Sequence, residues 1–421
     1  MKVLIITKAP WDDRLASGNT LSNLFSEWPD TQYACIYCRD AAPNNSCCNS
    51  YLSISPLQVA KNLFNPEKIG RVIKTSDIAP TVDNSTEDKL VGMSKSNRSL
   101  SFLINELIYA TSHWLNKKSK SFIDDFAPDV VFCFGVPDPV NYGVLRYVKK
   151  HSDAIIVSYY VDDLYNEKNK NTILRWIERK RLRKIAALSD KCYGISQLMC
   201  DEYSELYGKD FSLLFKGCEI REPKASYGTP IRFVYAGNLL YNRNKSLEAL
   251  ARAIEVVNSG ESKAFLDIYS GTKVTDDVRK SLNIEGASRL NDPKPFSEIK
   301  EIMYTSDIVL HVESFDKEQM DVVRLSFSTK ITDCMQSGSV MMAIGPTGIA
   351  SIEYPKNSIP GAIVVNSLDE LPKVVRGIVE SPKQLNTRAE AMNQFAKETA
   401  EIGKVRNRLK TDFVELLNNK K

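Results

Sequence analysis

One short segment in the last third of the chain contains residue types that bind phosphate. Ser328 and Thr329 begin a helical pattern that has Lys330 in its first turn. Asp333 follows one turn later. Hydroxyls and unpaired first-turn amides donate to phosphate oxygens, and a carboxylate accepts from a ribose diol. A lysine in the first turn is unfavourable next to the positive end of the helix dipole, and a bound anion would compensate for this. The segment therefore predicts a nucleotide phosphate site; a serine cap beside a surface lysine is the alternative.

A second candidate lies where the first strand-like run of the second half ends. Gly237 and Asn238 follow that run, and a helical pattern begins near Arg243 and Lys245. A glycine at this point lets the backbone approach a ligand, and cations beside a helix start attract phosphate. We expect this loop to bind an anion; solvated surface charges at a helix start are the alternative.

Two adjacent carboxylates follow a strand-like run in the first half. Asp162 and Asp163 come directly after the run 154–160. A carboxylate at a strand end is suited to orienting or deprotonating an acceptor hydroxyl. The pair is therefore the candidate for acceptor-side chemistry, and the alternative is a cap of the next helix.

The composition is that of an ordinary globular protein. The chain has 421 residues, and one domain typically has ~150, so two or three domains are expected. Apolar residues make up 43% and charged residues 26%, which excludes a disordered chain and a small disulfide scaffold. The net charge of +4 is too small for a general nucleic-acid binder, so no nucleic acid is expected as a partner.

The cysteines and the first residues indicate the compartment. The chain has nine cysteines, an odd number, and it begins without the long apolar core of a secretory leader. Cys35 and Cys38 have metal-ligand spacing, but the doublet Cys47 and Cys48 does not, and no histidine is close by. We therefore expect reduced thiols in a cytoplasmic protein without a metal site.

Apolar runs of strand length alternate with helical patterns in both halves, which is typical of parallel sheets covered by helices. The Pro- and Gly-containing segment 220–230 has the composition of a linker. We predict an α/β fold with one domain over 1–222, a second over 230–385, and a long C-terminal helix over 386–421 that packs back on the first domain. The polar segment 78–99 is predicted to be a surface loop. The predicted strands are 2–7, 33–37, 129–134, 154–160, 191–195, 231–236, 265–270, 307–312, 339–344 and 362–366.

A strongly basic run occupies residues 175–184 within a helical pattern. Six of its ten residues are Lys or Arg, and Arg175, Arg179 and Arg183 share one helical face beside Trp176. Such a face binds an anionic membrane or a lipid-diphosphate acceptor. A solvated charged face is the alternative.

Together these motifs resemble the GT-B nucleotide-sugar glycosyltransferases of family 4 over most of the chain. The resemblance implies two Rossmann-like domains facing a central cleft, with the acceptor bound by the first domain and the nucleotide sugar by the second. Gly18 and Asn19 stand at the family's first, acceptor-side loop. The segments that carry the resemblance are Ser17-Gly18-Asn19, Tyr160-Val161-Asp162-Asp163, the run 189–196, Lys216-Gly217-Cys218-Glu219 and the run 333–338.

The resemblance also implies roles for individual residues. Lys245 would bind the donor diphosphate, and Asp333 would contact the donor ribose. Ser328 and Thr329 would present amides to the phosphates.

Three positions depart from the family pattern. The first Glu of the Glu-x7-Glu motif is Leu325, the arginine after the strand glycine is Asn238, and the His of the His-Asp motif is Asp162. The residues available to replace the missing phosphate cation are Arg243, Arg324 and Lys330, and Glu313 is available for the missing carboxylate near the sugar.

We therefore expect a glycosyltransferase that moves a sugar from a nucleoside-diphosphate sugar to a saccharide or lipid-linked acceptor, in cell-surface polysaccharide synthesis. The family implies a retaining, metal-independent reaction with the nucleotide sugar as co-substrate and no other cofactor. Asp162, Asp163 and Glu313 are the candidate catalytic residues. The alternatives are a catalytically silent nucleotide- or glycan-binding protein of the same fold, and a GT-B nucleotide-sugar epimerase.

Overall fold

The structure, a computed structural model, describes residues 1–74, 106–167 and 172–420. The predicted surface loop over 78–99 lies outside the described residues. The chain divides into two compact units. Unit 1 contains Met1–Ile195, Met199–Leu214 and Arg406–Lys421, and unit 2 contains Ser196–Leu198 and Phe215–Val405.

Unit 1 is built on an eight-stranded sheet whose strand order reverses between two central strands. The strands are β1 (Lys2–Thr7), β2 (Gln32–Tyr37), β3 (Ser50–Ser53), β4 (Arg71–Lys74), β5 (Val130–Phe134), β6 (Ile155–Tyr160), β7 (Lys191–Gly194) and β8 (Phe211–Leu213). Their order is β4-β3-β2-β1-β5-β6-β7-β8, and every pair is parallel except β3 with β4. The central strands β1 and β5 are mostly apolar because helices cover both faces of such a sheet.

The helices of the first half connect these strands. They are α1 (Ala16–Phe25), α2 (Pro56–Lys61), α3 (Lys117–Phe126), α4 (Pro139–His151), α5 (Thr172–Leu188) and α6 (Gln197–Tyr207). A polar side chain caps the start of several of them; the Asp138 carboxylate, for example, accepts from the Val140 amide at the start of α4.

Unit 2 is built on a six-stranded, fully parallel sheet. Its strands are β9 (Ile231–Ala236), β10 (Ala264–Tyr269), β11 (Ser288–Asn291), β12 (Ile308–Val312), β13 (Val340–Ile344) and β14 (Ile363–Val365), in the order β11-β10-β9-β12-β13-β14. The order reverses between β9 and β12. Ligands of open parallel sheets bind beyond the carboxyl ends of the strands at such a reversal.

The helices of the second half follow the same alternation up to the C-terminal segment. They are α7 (Arg243–Val257), α8 (Asp276–Leu282), α9 (Phe296–Thr305), α10 (Lys317–Val323), α11 (Thr329–Gln336), α12 (Ala350–Ser358), α13 (Leu371–Glu380), α14 (Gln384–Thr399) and α15 (Ile402–Lys420).

The single C-terminal helix predicted from residue 386 onward is two helices. The chain breaks at Ala400 and Glu401, where the Ala400 carbonyl accepts from the Cys218 amide and the Ile402 amide donates to the Cys218 carbonyl. The Glu401 side chain then caps α15 by accepting from the amides of Gly403 and Lys404. Helix α14 and the first turn of α15 belong to unit 2, and residues from Arg406 onward belong to unit 1.

Candidate functional site

A cavity of about 370 Å³ opens in unit 2 beyond the carboxyl ends of β9 and β10. Pro293, Phe296, Ile299 and Met303 form an apolar part of its wall. Five of the residues that the sequence predicts as donor-binding line it: Gly237, Asn238, Thr329, Lys330 and Asp333. Two segments almost a hundred residues apart therefore meet at one cavity, because one follows β9 and the other begins α11.

The side chain of Lys330 lies directly over Gly237. A Cβ atom at residue 237 would come 2.0 Å from Lys330 Cε and 2.8 Å from its Nζ. Burial, and after it the charge of Arg243, lowers the pKa of Lys330. A glycine is required at this position because the ammonium group reaches the cavity across its α-carbon.

We expect Gly237→Ala to weaken binding of a nucleoside diphosphate by about tenfold with little loss of folding stability, because the added methyl group displaces a flexible lysine rather than backbone. Isothermal titration of Gly237→Ala and Lys330→Ala, singly and combined, measures this. If Gly237→Ala acts through the lysine, it changes little in the Lys330→Ala background. Gly377→Ala is the matched control, since nothing lies within 4 Å of a Cβ there. Equal losses from Gly237→Ala in both backgrounds would contradict this account.

The cavity has an excess of positive charge. Burial raises the pKa of Asp333, and the nearby charges of Lys216, Lys330 and Lys300 act against that rise. Its carboxylate accepts a hydrogen bond from Gln336 Nε2 at 3.5 Å. Of these three lysines only Lys330 lines the cavity, where together with Lys294 it exceeds the single negative charge of Asp333, and this balance favours an anion.

Arg243 and Glu313 form a buried ion pair next to the cavity and do not line it. Arg243 Nη2 donates to Glu313 Oε2 at 2.8 Å and Nε donates to the same oxygen at 3.0 Å. Both side chains are more than nine-tenths buried. Burial alone would raise the pKa of Glu313, but its contacts with His311 and Arg243 lower it to about 2. Each side chain therefore neutralises the other outside the cavity lining, and the predicted roles of Glu313 near the sugar and of Arg243 at the phosphates stay predictions.

His311 is a residue of this region that the sequence did not single out. It is 1% exposed, and neither ring nitrogen makes a hydrogen bond; Nε2 lies 3.4 Å from Glu313 Oε1. Burial lowers the pKa of His311, although Glu313 opposes the change. The imidazole is therefore neutral at pH 7. A histidine inside an otherwise apolar strand pattern was the only signal in the sequence.

We expect the free energy of unfolding to fall as the pH drops below about 6.5, because the unfolded chain then protonates His311 and the folded one does not. His311 contributes at most about 1.4 kcal/mol per pH unit to the fall in the free energy of unfolding, and this contribution continues down to the pKa of His311 in the folded protein. Urea titrations between pH 7.5 and 5 measure it, and His311→Leu should remove the contribution. His113→Leu replaces an exposed histidine and controls for the loss of a histidine as such. An unchanged slope in His311→Leu would refute the assignment.

Lys245 lies outside the cavity. Its Nζ forms an ion pair with Asp316 Oδ2 at 2.9 Å on the surface, and Asn242 donates to the same oxygen at 2.6 Å. Lys245 does not face the cavity in this arrangement, and its predicted contact with the diphosphate stays a prediction. Helix α7 begins at Arg243, and the Lys245 side chain is exposed on its outer side.

Two further predicted donor-binding residues do not line the cavity. Ser328 caps α11, and its Oγ accepts from the Lys330 amide at 3.3 Å. Arg324 follows α10, and its carbonyl accepts from the Ala350 amide. Their positions are explained by helix termination, because each satisfies a backbone group at a helix end.

In unit 1 the two adjacent carboxylates have different surroundings. Asp163 accepts from Tyr203 Oη at 2.9 Å and from the side chain of Asn166 at 3.1 Å, so it holds its loop in place. Asp162 is exposed; its backbone carbonyl accepts from the Leu164 amide at 2.9 Å, whereas its carboxylate accepts no hydrogen bond from any described residue. Partial desolvation, with the nearby charge of Glu167, raises its pKa. Of the two carboxylates, that of Asp162 is the more open to solvent.

Gly18 and Asn19 are in a helix and not in a loop. They lie in the first turns of α1, where the Asn19 amide donates to the Leu15 carbonyl. A Cβ at residue 18 would come 2.0 Å from the Asp12 carbonyl oxygen. The glycine is explained by this close backbone packing.

The basic helix α5 has fewer free charges than its sequence indicates. Arg179 Nε donates to the Tyr165 carbonyl at 2.8 Å, and Arg183 Nη2 donates to Tyr165 Oη at 2.6 Å. Arg181 forms an ion pair with Glu106 at 2.6 Å. Three of the six basic side chains are therefore held by unit 1 itself.

Neither a membrane span nor a metal cluster is found in the part of the chain that the structure describes. None of its helices combines the length and the apolar character needed to cross a bilayer. No three of its His, Cys, Asp and Glu residues are grouped to hold a metal ion. All nine cysteines lie within the described residues, and none is in a disulfide.

No protein-family model matches the chain, and no curated protein matches it. Among solved structures, HepE from Anabaena in complex with UDP is similar over 99% of this chain and 100% of its own, with 11% identity and a TM-score of 0.60. The apo form of WaaB, a lipopolysaccharide outer core galactosyltransferase, covers the same shares with 14% identity and a TM-score of 0.58. HepE in complex with UDP-glucose covers 100% of both chains with 12% identity and a TM-score of 0.53. The two-domain GT-B fold that the motifs implied is thereby confirmed.

Proposed function

We propose that the protein is a glycosyltransferase that binds a nucleoside-diphosphate sugar in the cavity of unit 2 and transfers the sugar to a saccharide or lipid-linked acceptor. The observation that carries the proposal is the cavity itself, where Lys330 lies over Gly237 and lines the same space as the carboxylate of Asp333. A nucleoside diphosphate has the matching charge, and its ribose has the hydroxyls that a carboxylate accepts from. HepE, similar in fold, has been solved with UDP and with UDP-glucose.

In the proposed reaction the bond between the sugar C1 and the diphosphate oxygen breaks, and a new bond forms from C1 to the acceptor oxygen. The acceptor's proton passes to the departing diphosphate, so the acceptor oxygen bonds to the face of C1 that the diphosphate leaves. The configuration at C1 is then retained without a side-chain nucleophile. Lys330 stabilises the negative charge that develops on the leaving group. Asp162, which is exposed in unit 1, is the residue that we propose to orient the acceptor hydroxyl.

The test has two steps. Isothermal titration with UDP, GDP and ADP identifies the nucleotide, and we expect one of them to bind. Incubation with the matching nucleotide sugars then measures nucleoside diphosphate release, with and without added saccharide or lipid-linked acceptors. Binding without any release would favour the catalytically silent protein, and conversion of the donor sugar to its epimer would favour the epimerase. Failure to bind any of the three nucleotides would refute the proposal.

We infer that the acceptor is presented at an anionic membrane next to α5. Ile173 and Trp176 are 65% and 61% exposed, which is unusual for side chains of their size, and Lys180 lies 4.7 Å from the Trp176 ring centre. An exposed indole beside lysines is typical of a helix that lies at a membrane interface. The contact would use Trp176, Lys180 and Lys184, since three arginines of α5 have partners in unit 1: Arg179, Arg181 and Arg183.

We expect the protein to sediment with anionic liposomes at low salt and to be released by salt, because charges are screened over ~10 Å at 0.1 M ionic strength. Combined Trp176→Ala, Lys180→Ala and Lys184→Ala should abolish sedimentation and leave nucleotide affinity unchanged. Lys149→Ala is the control, since this lysine is paired with Asp190. Equal binding to neutral and anionic liposomes would contradict the electrostatic account, and binding to neither would favour a soluble saccharide acceptor.

A further inference from the structure

The orientation of the Asn238 side chain is determined by Arg243. Arg243 Nη1 donates to Asn238 Oδ1 at 2.8 Å. A guanidinium group has donors only, so the carboxamide oxygen must face it and Nδ2 must point the other way. Asn238 is exposed and lines the cavity, and no described residue accepts a hydrogen bond from its Nδ2. The two N–H groups of this amide are therefore available to a ligand.

Arg243 is itself held in place from the opposite side. Its Nε and Nη2 donate three hydrogen bonds to the Glu313 carboxylate, at 2.8–3.1 Å. Ser351 Oγ donates to Glu313 Oε1 at 3.3 Å, and Ser246 Oγ donates to the Glu313 carbonyl at 2.9 Å. A planar guanidinium bound in this way has one orientation, so Nη1 is fixed toward Asn238.

The backbone of Asn238 is also fixed. Its carbonyl oxygen accepts from the hydroxyl of Tyr235 at 2.6 Å, and the next amide, that of Leu239, donates to Thr272 Oγ1 at 3.0 Å. A donor that is already oriented costs less entropy on binding than a free side chain. The loop after β9 therefore presents a preorganised neutral donor beside the charged Lys330.

We propose that Arg243 and Glu313 are positioning residues that turn the Asn238 carboxamide so that Nδ2 donates to a phosphate oxygen of the bound nucleoside diphosphate. The inference rests on the proposed function, because it requires a diphosphate in this cavity. It differs from the role that the family resemblance implied for Arg243, since here the guanidinium acts through Asn238 and makes no contact with the ligand.

A double-mutant cycle tests the proposal. UDP affinity is measured by isothermal titration for Asn238→Ala, Arg243→Lys and the double variant. We expect Asn238→Ala to lower it by about tenfold, and Arg243→Lys to lower it by up to about tenfold, because lysine cannot bond Glu313 and Asn238 together. In the Asn238→Ala background, Arg243→Lys should cost less than about twofold. Losses that multiply would overturn the proposal, because they would mean that Arg243 contacts the ligand itself.

Two controls separate positioning from damage to the fold. Arg252→Lys changes an exposed arginine of the same helix, which pairs only with Glu255, and should leave UDP affinity unchanged. Uridine, which has no phosphate, should bind the wild type and Asn238→Ala equally. A loss of uridine affinity in Asn238→Ala as large as the loss for UDP would also overturn the proposal.

A second variant covers the case in which Arg243→Lys does not fold. Asn238→Asp has the same shape at an exposed position and can still accept from Arg243, but it has no N–H to offer. We expect at least a tenfold loss of UDP affinity with an unchanged thermal midpoint. Unchanged affinity would overturn the proposal. If the wild type binds none of UDP, GDP and ADP, the proposed function has failed instead.

Discussion

Replacing Lys330 with alanine is expected to lower the affinity for UDP by about ten- to a hundredfold, because a charge-assisted hydrogen bond to phosphate contributes about 1.5–3 kcal/mol. The effect should be larger than that of an exposed lysine, since the Lys330 ammonium is mostly buried and screened less by solvent. Isothermal titration at constant salt measures it. Lys330→Arg should retain much of the affinity, provided that the longer side chain still crosses Gly237.

Lys245→Ala is the informative comparison. The family resemblance assigns the diphosphate to Lys245, whereas the structure pairs this lysine with Asp316 on the surface. We therefore expect Lys245→Ala to change UDP affinity by less than about twofold, as is usual for an exposed ion pair. The reverse result, a large loss for Lys245→Ala and none for Lys330→Ala, would reject the site described here.

The pH dependence of UDP binding is expected to report on the same lysine. The pKa of Lys330 is lowered by burial, so the side chain loses its proton at a lower pH than an ordinary lysine does. Affinity should accordingly fall as the pH rises toward the alkaline range, and Lys330→Arg should keep it up to higher pH because a guanidinium remains charged. An alkaline decline that is the same in both proteins would point to another group.

Replacing Glu313 with alanine is expected to lower the free energy of unfolding by about 3–5 kcal/mol, because the change leaves the Arg243 guanidinium buried without a partner. Both side chains are more than nine-tenths buried, and several hydrogen bonds join them. Urea titration near neutral pH measures the loss. The stabilisation should also disappear in acid, since the folded pKa of Glu313 is lowered to about 2 and the pair is lost only as the pH falls toward that value.

The double variant Arg243→Met with Glu313→Leu distinguishes a structural pair from a catalytic carboxylate. Replacing both charges by apolar side chains should restore most of the stability lost in Glu313→Ala. Transfer activity should remain low, because Asn238 then has no group to orient it. If Glu313→Gln folds normally with full UDP affinity and yet has no transfer activity, Glu313 is catalytic. The proposal that it acts only by positioning Asn238 through Arg243 would then be wrong.

The sequence by itself determined the two α/β series and the location of the candidate site. All ten predicted strands are present, because continuous apolar, β-branched runs can be buried only inside a covered parallel sheet. The strands that were missed are β3, β4, β8 and β11, which have three or four residues each and lie toward the sheet edges. Such short segments have too few residues to show a period.

The sequence also identified Gly237, Lys330 and Asp333, since a glycine after a strand and a lysine in a first helical turn are locally unusual choices. Only the tertiary structure decided which charges face the cavity. Arg243 and Glu313 are 70 residues apart and neutralise each other because α7 packs beside the end of β12, and Lys245 is held at the surface by Asp316. A side chain's partner depends on the packing of distant elements, and no local pattern carries that information.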